Sequence, residues 1–325
     1  MAFHRRQFLR LAAGAAALPA LSRIAWAQTY PSRPVRIFVG FTAGGNHDVG
    51  ARLMAQWLTQ RLGQPFVVEN RPGASANIAT EAAVRAPADG YTLFVGGANN
   101  AINATLFEKL NFNFIADLAP VAGVYRWPNL MTVNASFPAS TVPEFIAYAK
   151  ANPGRIVVGS SGTGTSQHLS GELFKIMAGI DLLHVPYRGG PEVLTDLLAE
   201  RVQVAFEGFP ASIGHVRAGA LRTLAVTTAG RSPELPDIPS MAEFLPGYEA
   251  SGWIGLCAPR NTPVEVIEKL NREVNAGLAD PGITTKLAEF GGVALPGSPA
   301  EFGKLIADET EKWGKVIRTA DIKPS

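Results

Sequence analysis

The sequence predicts an α/β protein built of two units, and three observations support this prediction. Short apolar runs typical of strands alternate with helical patterns along almost the whole chain. Several of these runs lead into loops rich in glycine and hydroxyl residues, as happens where helices connect parallel strands. The chain has 325 residues, of which 47% are apolar, so it is long enough for two domains with their own cores.

Composition excludes several classes of protein. Four of the 29 basic residues lie in the first 27, which contain no acid, so the rest of the chain has 25 basic and 27 acidic residues. A nearly neutral chain gives no electrostatic reason to bind nucleic acid or an anionic membrane. The single cysteine, Cys257, excludes an intrachain disulfide and a thiolate cluster, and the five histidines are scattered. We therefore expect no metal and no cofactor.

Residues 1–27 predict an export signal peptide. A basic stretch with Arg5 and Arg6 precedes an apolar run from Leu11 to Leu21, which is too short to span a bilayer, and Ala25-Trp26-Ala27 is a small-x-small cleavage signal. The mature chain is expected to begin near Gln28, to lie in the periplasm and to contain no membrane span. The paired arginines resemble a twin-arginine signal, and the sequence leaves the export route open.

The first unit begins with a strand at 35–39 that leads into a glycine-rich loop. Asp48 is predicted to cap the following helix, and Gly63 to end it. Further strands at 66–68 and 91–95 enclose a helix at about 77–85. The spacing of strand, loop, helix and strand predicts parallel pairing.

The second unit repeats this alternation from about residue 130. Strands are predicted at 131–133, 156–158, 182–185, 202–206 and 221–227. Helices are predicted at roughly 143–151, 166–178, 190–199 and 210–218. A proline-rich stretch at 232–239 ends the series, and a strand at 253–257 and amphipathic helices at about 263–278 and 299–318 complete the chain.

Four loops have the residue types that bind small anions. They lie at 42–48, 73–77, 159–168 and 187–190. Each combines small residues with backbone amides ahead of a helix, at the strand ends where ligands of open α/β sheets bind. Arg188 can form a charge-assisted pair with a carboxylate. Glu207, just after the strand at 202–206, is either a ligand contact or a solvated acid.

Known enzymatic motifs are incomplete in this chain. The loop that begins at Gly159 imitates a phosphate-binding loop but has Thr165 in place of the required lysine. Thr163 replaces the second glycine of a nucleophile elbow, and Gln167 the third glycine of a dinucleotide fingerprint. His168 reads as a histidine at a helix start rather than as a catalyst. These observations favour a binding protein over an enzyme.

Short sequence blocks occur in a characteristic order over nearly the whole mature chain. They include Ala43-Gly44-Gly45 with Asp48, Val68 to Gly73, Asp89 to Leu93, Ser160-Ser161-Gly162 and Val185 to Gly189. With these blocks the chain resembles the substrate-binding proteins of tripartite tricarboxylate transporters, the Bug (TctC-like) family.

The resemblance implies a type II periplasmic-binding-protein fold of the Venus-flytrap kind, in which each lobe is a mainly parallel sheet flanked by helices. One lobe would comprise 28–128 plus 252–325, and the other 129–251. A monomeric receptor would hold a small carboxylate between the lobes and deliver it to a membrane permease of two subunits. The implied ligand contacts are Ala43, Gly44, Gly45, Asn46, Asp48, Ala74, Ser75, Ala76, Asn77, Ser160, Ser161, Thr163, Thr165, Ser166, His168, Arg188, Gly189 and Glu207.

Two other functions stay open at this point. An exported serine hydrolase would use a serine of residues 160–166 with His168. A ligand sensor would pass its signal to a membrane kinase. The ligand itself is left open among di- and tricarboxylates, aromatic acids and amino acids.

Overall fold

A computed structural model describes residues 30–324, which fold around two β-sheets flanked by helices. The predicted signal peptide at 1–27 lies outside the described residues. No helix within 30–324 has both the length and the apolar character that a membrane crossing requires. The predicted two-unit α/β class is confirmed.

The first sheet has six strands in the order β11-β4-β10-β3-β1-β2. These are β1 (Val35–Val39), β2 (Phe66–Asn70), β3 (Thr92–Gly97), β4 (Leu118–Trp127), β10 (Gly252–Pro259) and β11 (Val293–Ala294). Strand β1 pairs in parallel with β2 and β3, whereas β10 runs antiparallel to β3 and β4.

The second sheet has five strands in the order β7-β6-β8-β5-β9. These are β5 (Asn129–Asn134), β6 (Val157–Ser160), β7 (Leu183–Pro186), β8 (Val204–Gly208) and β9 (Leu221–Val226). Strand β6 pairs in parallel with β7 and β8, and β5 runs antiparallel to β8 and β9. In both sheets three parallel strands are followed by an antiparallel strand, beyond which lie β4 and β11 in the first sheet and β9 in the second.

Helices connect the strands and cover the sheets. Within the described residues they are α1 (Asn46–Leu62), α2 (Asn77–Val84), α3 (Ala98–Leu106), α4 (Phe114–Asp117), α5 (Val142–Ala151), α6 (Ser166–Ala178), α7 (Gly190–Leu198), α8 (Phe209–Arg217), α9 (Val264–Leu278), α10 (Pro281–Glu289) and α11 (Pro299–Thr319). Gly63 ends α1 in the left-handed conformation, and its amide donates to the carbonyl of Thr59, as the sequence predicts.

The structure differs from the sequence prediction in three respects. The sheets are mixed rather than mainly parallel, because β5 and β10 are the strands with which the chain enters each sheet from the other. Helix α1 begins at Asn46, so Asp48 lies in its first turn instead of capping it. The sequence predicts no element between 96 and 128, where α3 and β4 lie. Helix α3 is buried on nearly all sides, and β4 contains Pro120, so neither shows a clear polar–apolar period.

The chain passes between the two sheets at two adjacent points, between Trp127 and Asn129 and just before Gly252. Glu249, next to the second passage, pairs with Lys312 of α11 at 3.0 Å between Oε2 and Nζ. Lys312 also pairs with the buried Glu309, which accepts hydrogen bonds from the indoles of Trp253 and Trp313. Helix α11 thereby holds the second crossing in place.

Candidate functional site

A cavity of about 610 Å³ lies between the two sheets, at the carboxyl ends of their parallel strands. The two halves of the chain touch beside it: the space for a side chain at Gly164 is filled by Leu106 of α3, and Gly208 lies near the side chain of Asn46. The cavity volume is in the usual range for small-molecule sites.

Five helices begin at this cavity. The residues of their first turns that line it are Asn46 and His47 of α1, Ala98 and Asn99 of α3, Ser166 and Gln167 of α6, Gly190 and Pro191 of α7, and Pro210 and Ala211 of α8. Each helix directly follows a parallel strand or its glycine-rich loop. Because the N-terminus of a helix carries a partial positive charge and free amides, their convergence favours a bound anion.

Of the ligand contacts implied in the first loop, Gly44, Gly45 and Asn46 line the cavity, whereas Ala43 does not. Asp48 is buried beside it and forms an ion pair with Arg52 at 2.9 Å. Burial alone would raise the pKa of Asp48, but hydrogen bonds from Arg52 and the Gly44 amide bring it below its usual range. In this structure Asp48 holds the loop before α1 rather than facing the cavity.

The second predicted loop, Ala74, Ser75, Ala76 and Asn77, lies behind the cavity wall. Its first three residues have positive φ angles of 46°, 51° and 73°, a conformation that costs a residue with a side chain roughly 1–2 kcal/mol. The Ser75 carbonyl accepts hydrogen bonds from Asn99 at 3.2 Å and Asn103 at 2.7 Å, which hold this turn. The loop therefore supports Asn99, which itself lines the cavity.

His47 forms part of the wall on the same side. Its Nε2–H donates to Oδ1 of Asn99 at 3.1 Å, and its ring lies 4.3 Å from that of Phe41. Burial lowers the pKa of His47 to about 4, so the ring is neutral at physiological pH. His47, Asn99 and the Ser75 carbonyl form one chain of hydrogen bonds from the cavity into the first sheet's unit.

The third predicted loop divides between the cavity and the interior. Ser161, Thr165 and Ser166 line the cavity, and Thr163 lines a shallow groove outside it. Ser160 and His168 are buried behind the loop. The hydroxyl of Ser160 lies 2.7 Å from Nε2 of His184, so the histidine that it contacts is His184 and not His168.

His168, Glu172 and His184 form the one group of possible metal ligands within residues 30–324. The two imidazoles are stacked 3.9 Å apart at an angle of 11°, so their in-plane lone pairs run side by side and do not converge on one ion. The Gly164 amide donates to Nδ1 of His168, and Glu172 pairs with Lys175. Burial lowers the pKa of His168 to about 3 and that of His184 to about 4. This geometry favours a neutral packing pair.

Within residues 30–324, Glu207 is the only carboxylate that lines the cavity, and it is 1% exposed. The Ser161 hydroxyl donates to its two oxygens, at 2.8 and 2.7 Å, and the amides of Ser161 and Gly208 donate as well. Burial raises the pKa of Glu207 to about 7, although these hydrogen bonds act in the opposite direction. Among the two possibilities that the sequence leaves open, the structure excludes the solvated acid.

Arg188 and Gly189 of the fourth loop line the cavity near its mouth. Arg188 is exposed and has no hydrogen bond or ion pair with any residue in the described part of the chain. Its guanidinium is therefore free to pair with an acidic ligand.

Several cavity residues are absent from the sequence prediction. The aromatic rings of Phe41, Trp127 and Trp253 and the polar groups of His47 and Asn99 are the most prominent. In the sequence, Phe41 lies just before the loop at 42–48, and Trp253 begins the strand predicted at 253–257. Asn99 lies in α3, whose start directly after Gly97 has no loop signal, so only the fold brings it to the site.

Comparison with known proteins shows the family to which this chain belongs. The sequence profile described as "Tripartite tricarboxylate transporter family receptor" matches residues 50–322. The chain belongs to this receptor family. Over 300 residues it is 35% identical to Protein BugT of Bordetella pertussis (strain Tohama I), an alignment that covers 91% of this chain and 92% of BugT.

Solved receptors of similar sequence have the same fold. The structure of R. palustris Rpa4515 with adipate has a TM-score of 0.82 and 40% identity, and covers 91% of this chain and all of that one, 100%. MatC (Rpa3494) from Rhodopseudomonas palustris with bound malate has a TM-score of 0.77 and 30% identity, covering 89% and 100% of the two chains. The resemblance to the Bug (TctC-like) receptors is thus confirmed, and the chain is a solute-binding protein of that type.

Proposed function

We propose that this receptor captures a small organic carboxylate in the cavity between two lobes and does not transform it. The observation that carries the proposal is the convergence of five helix N-termini on a cavity with one unpaired arginine, Arg188, at its mouth. The adipate and malate bound to the two solved relatives support the same ligand class.

The lobes in this proposal are 28–128 plus 252–325 and 129–251, and they close over the ligand. Residues that line the cavity are its direct contacts: Gly44, Gly45, Asn46, Ser161, Thr165, Ser166, Arg188, Gly189 and Glu207. Ala43, Asp48, Ala74, Ser75, Ala76, Asn77, Ser160, Thr163 and His168 act by shaping the loops that carry those contacts. Closure strengthens the amide and hydroxyl bonds to the ligand because it excludes water.

The same proposal includes delivery to a two-subunit membrane permease, which the description of the receptor family supports, and the N-terminal 27 residues fit export to the periplasm. Uptake of the captured acid by cells with and without the permease subunits distinguishes transport from sensing through a membrane kinase. Loss of uptake without the permease is the result expected here.

The hydrolase alternative has less support. Ser160 is bonded to His184 but is 1% exposed, so a substrate has no access to its hydroxyl. Ser161 faces the cavity, but its hydroxyl donates to Glu207 and no histidine accepts from it within the described residues. A serine-reactive phosphonate is therefore expected to leave residues 160–166 unlabelled, and labelling there would favour the hydrolase.

Ligand binding is expected to stabilise the folded chain. A ligand at tenfold excess over its Kd adds about 1.4 kcal/mol to the free energy of unfolding, because it binds the folded state only. Thermal unfolding of the chain without residues 1–27 is measured with malate, succinate, adipate, citrate, benzoate and glutamate. The diamide of adipate, which has the same length without charge, is the control. A rise in melting temperature with the diamide but with none of the acids contradicts the proposal.

A further inference from the structure

We propose that Glu207 takes part in ligand capture as a neutral carboxylic acid, which donates a hydrogen bond to a ligand carboxylate, so that binding takes up one proton. This inference rests on the proposed function and deepens it. It defines the ligand as an acid that presents a carboxylate oxygen, not an ammonium group, to the inner end of the cavity.

The position of Glu207 is the first argument. Its side chain is buried in the cavity wall, and no lysine or arginine forms an ion pair with it anywhere in residues 30–324. All its protein partners are neutral donors: the hydroxyl and amide of Ser161 and the amide of Gly208. A buried carboxylate without a neighbouring cation is expensive to keep ionised.

The first turn of α7 leaves little space beside this carboxyl group. A Cβ atom at Gly190 would lie 2.8 Å from Oε2 of Glu207, so any side chain at this position would push the carboxyl group aside. The same carboxyl group thus lies where the N-termini of α7 and α8 attract the acidic group of a ligand. Two carboxylates held side by side cannot both stay ionised at low cost, and sharing one proton removes the repulsion.

Other titratable groups around the cavity do not account for a proton uptake near neutral pH. Burial keeps the pKa of His47 at about 4, and those of His168 and His184, behind the Ser161 loop, at about 3 and 4. Arg188 lies at the mouth of the cavity, and Glu192 of α7 is exposed outside it.

The other charged residues around Glu207 either form ion pairs with one another or lie far from the cavity. Asp48 pairs with Arg52 beyond the start of α1, and Glu172 pairs with Lys175 on α6. His215 and Arg217 lie in the last turn of α8, at its other end. Strand β5, which pairs with β8 beside Glu207, contains no titratable residue. Glu207, with its pKa raised to about 7 by burial, is therefore the cavity group that titrates between pH 5.5 and 8.5.

The direction of the pH dependence follows from this geometry. Below about pH 6 Glu207 already carries its proton, so its own titration no longer changes the affinity, and only the ionisation of the ligand does. Above pH 7 the free protein has lost the proton and must regain it on binding, so the observed Kd rises towards tenfold for each pH unit. The proton uptake increases from near zero to near one over the same range.

Isothermal titration calorimetry tests the predicted pH dependence of the Kd and the predicted proton uptake. The chain without residues 1–27 is titrated with succinate, adipate and citrate at several pH values from 5.5 to 8.5, in two buffers of different ionisation enthalpy. The difference between the buffers counts the protons taken up. After the protons that the ligand itself releases are subtracted, we expect an uptake of about one proton at pH 8.5 and none at pH 5.5. The amine analogue 6-aminohexanoate, which has adipate's length, is expected to bind more weakly at every pH.

Two matched variants identify the group. Glu207→Gln keeps the size and a hydrogen-bond donor, so it is expected to bind the acid at pH 8.5 with the affinity that the unmodified chain has at pH 5.5, without proton uptake. Glu192→Gln removes a negative charge just outside the cavity and is expected to keep the unmodified pH profile.

Three results would overturn the inference while leaving the proposed function intact: an acid that binds with a flat pH profile, a Glu207→Gln variant that keeps the proton uptake, or tighter binding of 6-aminohexanoate that depends on Glu207. Binding of none of the acids at any pH would instead contradict the proposed function and the inference with it.

Discussion

Replacing Glu309 with alanine is expected to lower the free energy of unfolding by about 3–5 kcal/mol. Its Oε2 accepts hydrogen bonds from the indoles of Trp253 at 3.1 Å and Trp313 at 2.8 Å, and its other oxygen pairs with Lys312. Both indoles are 1% exposed or less, so the variant leaves two buried N–H groups without a partner. The loss is measured by urea unfolding followed by circular dichroism.

Two controls separate this network from a general effect of changing α11. Glu309→Gln keeps the shape and an accepting oxygen, and we expect it to lose only about 1–2 kcal/mol. Glu311→Ala removes an acid two residues away whose side chain is 69% exposed in an ion pair with Lys315, and it is expected to change stability by less than about 0.5 kcal/mol. Equal losses for Glu309→Ala and Glu311→Ala would show that the buried network does not stabilise the fold.

The Glu309 network also bears on binding, because Trp253 lines the cavity at the start of β10. Its ring lies edge-on to that of Phe302, with centroids 5.9 Å apart. Glu309 is thus a positioning residue for one wall of the site. Weaker ligand affinity in Glu309→Gln, at a temperature where the variant is fully folded, is the measurement that distinguishes this role from stability alone.

Replacing Arg188 with alanine is expected to weaken binding of the carboxylate by about 1.5–3 kcal/mol, which is about 10- to 150-fold in Kd. Arg188 lines the cavity and has no ion pair within residues 30–324. In the proposed function the closed lobes exclude water, so water does not replace a lost charge-assisted pair between Arg188 and the ligand. The Kd is measured by calorimetry with the acid that gives the largest thermal shift.

Arg155→Ala is the matched control for this substitution. Arg155 is also exposed and belongs to the same unit, but it precedes β6 and so lies at the strand end opposite the cavity. Its removal changes the net charge equally and is expected to leave the Kd unchanged. If both variants lose affinity to the same degree, the effect comes from overall charge, and Arg188 does not contact the ligand.

The sequence predicts most of the fold because local patterns coincide with the final structure. The strand at 35–39, the helix at 166–178 and the helix stop at Gly63 appear where predicted, since each has its own hydrophobic period or terminating glycine. Helix α3 and strand β4 were not predicted. Helix α3 is buried on nearly all sides and so has no polar–apolar period. Strand β4 contains Pro120, a residue atypical of strands, and its sequence shows no clear alternation either.

Part of the candidate site, too, can be predicted from the sequence, and part depends on the fold. Glycine- and hydroxyl-rich loops mark the strand ends in the sequence, and Gly44, Ser161 and Arg188 from three of them line one cavity. The loop at 74–77 has the same composition but lies behind Asn99, because its left-handed turn is held by hydrogen bonds to side chains of α3. The composition of a loop alone does not show whether the loop lines the cavity or lies behind the residues that line it.

By itself the sequence determined the two-unit α/β class, the family and the position of the glycine- and hydroxyl-rich loops, because these follow from residues close together in the chain. Only the tertiary structure decided that five helix starts meet in one cavity, that Trp253 and Asn99 form its walls and that Glu207 is buried there with no ion pair to a lysine or arginine of residues 30–324. The burial that raises the pKa of Glu207 comes from residues of separate loops, such as Ser161 and Gly190, so it exists only once the chain has folded.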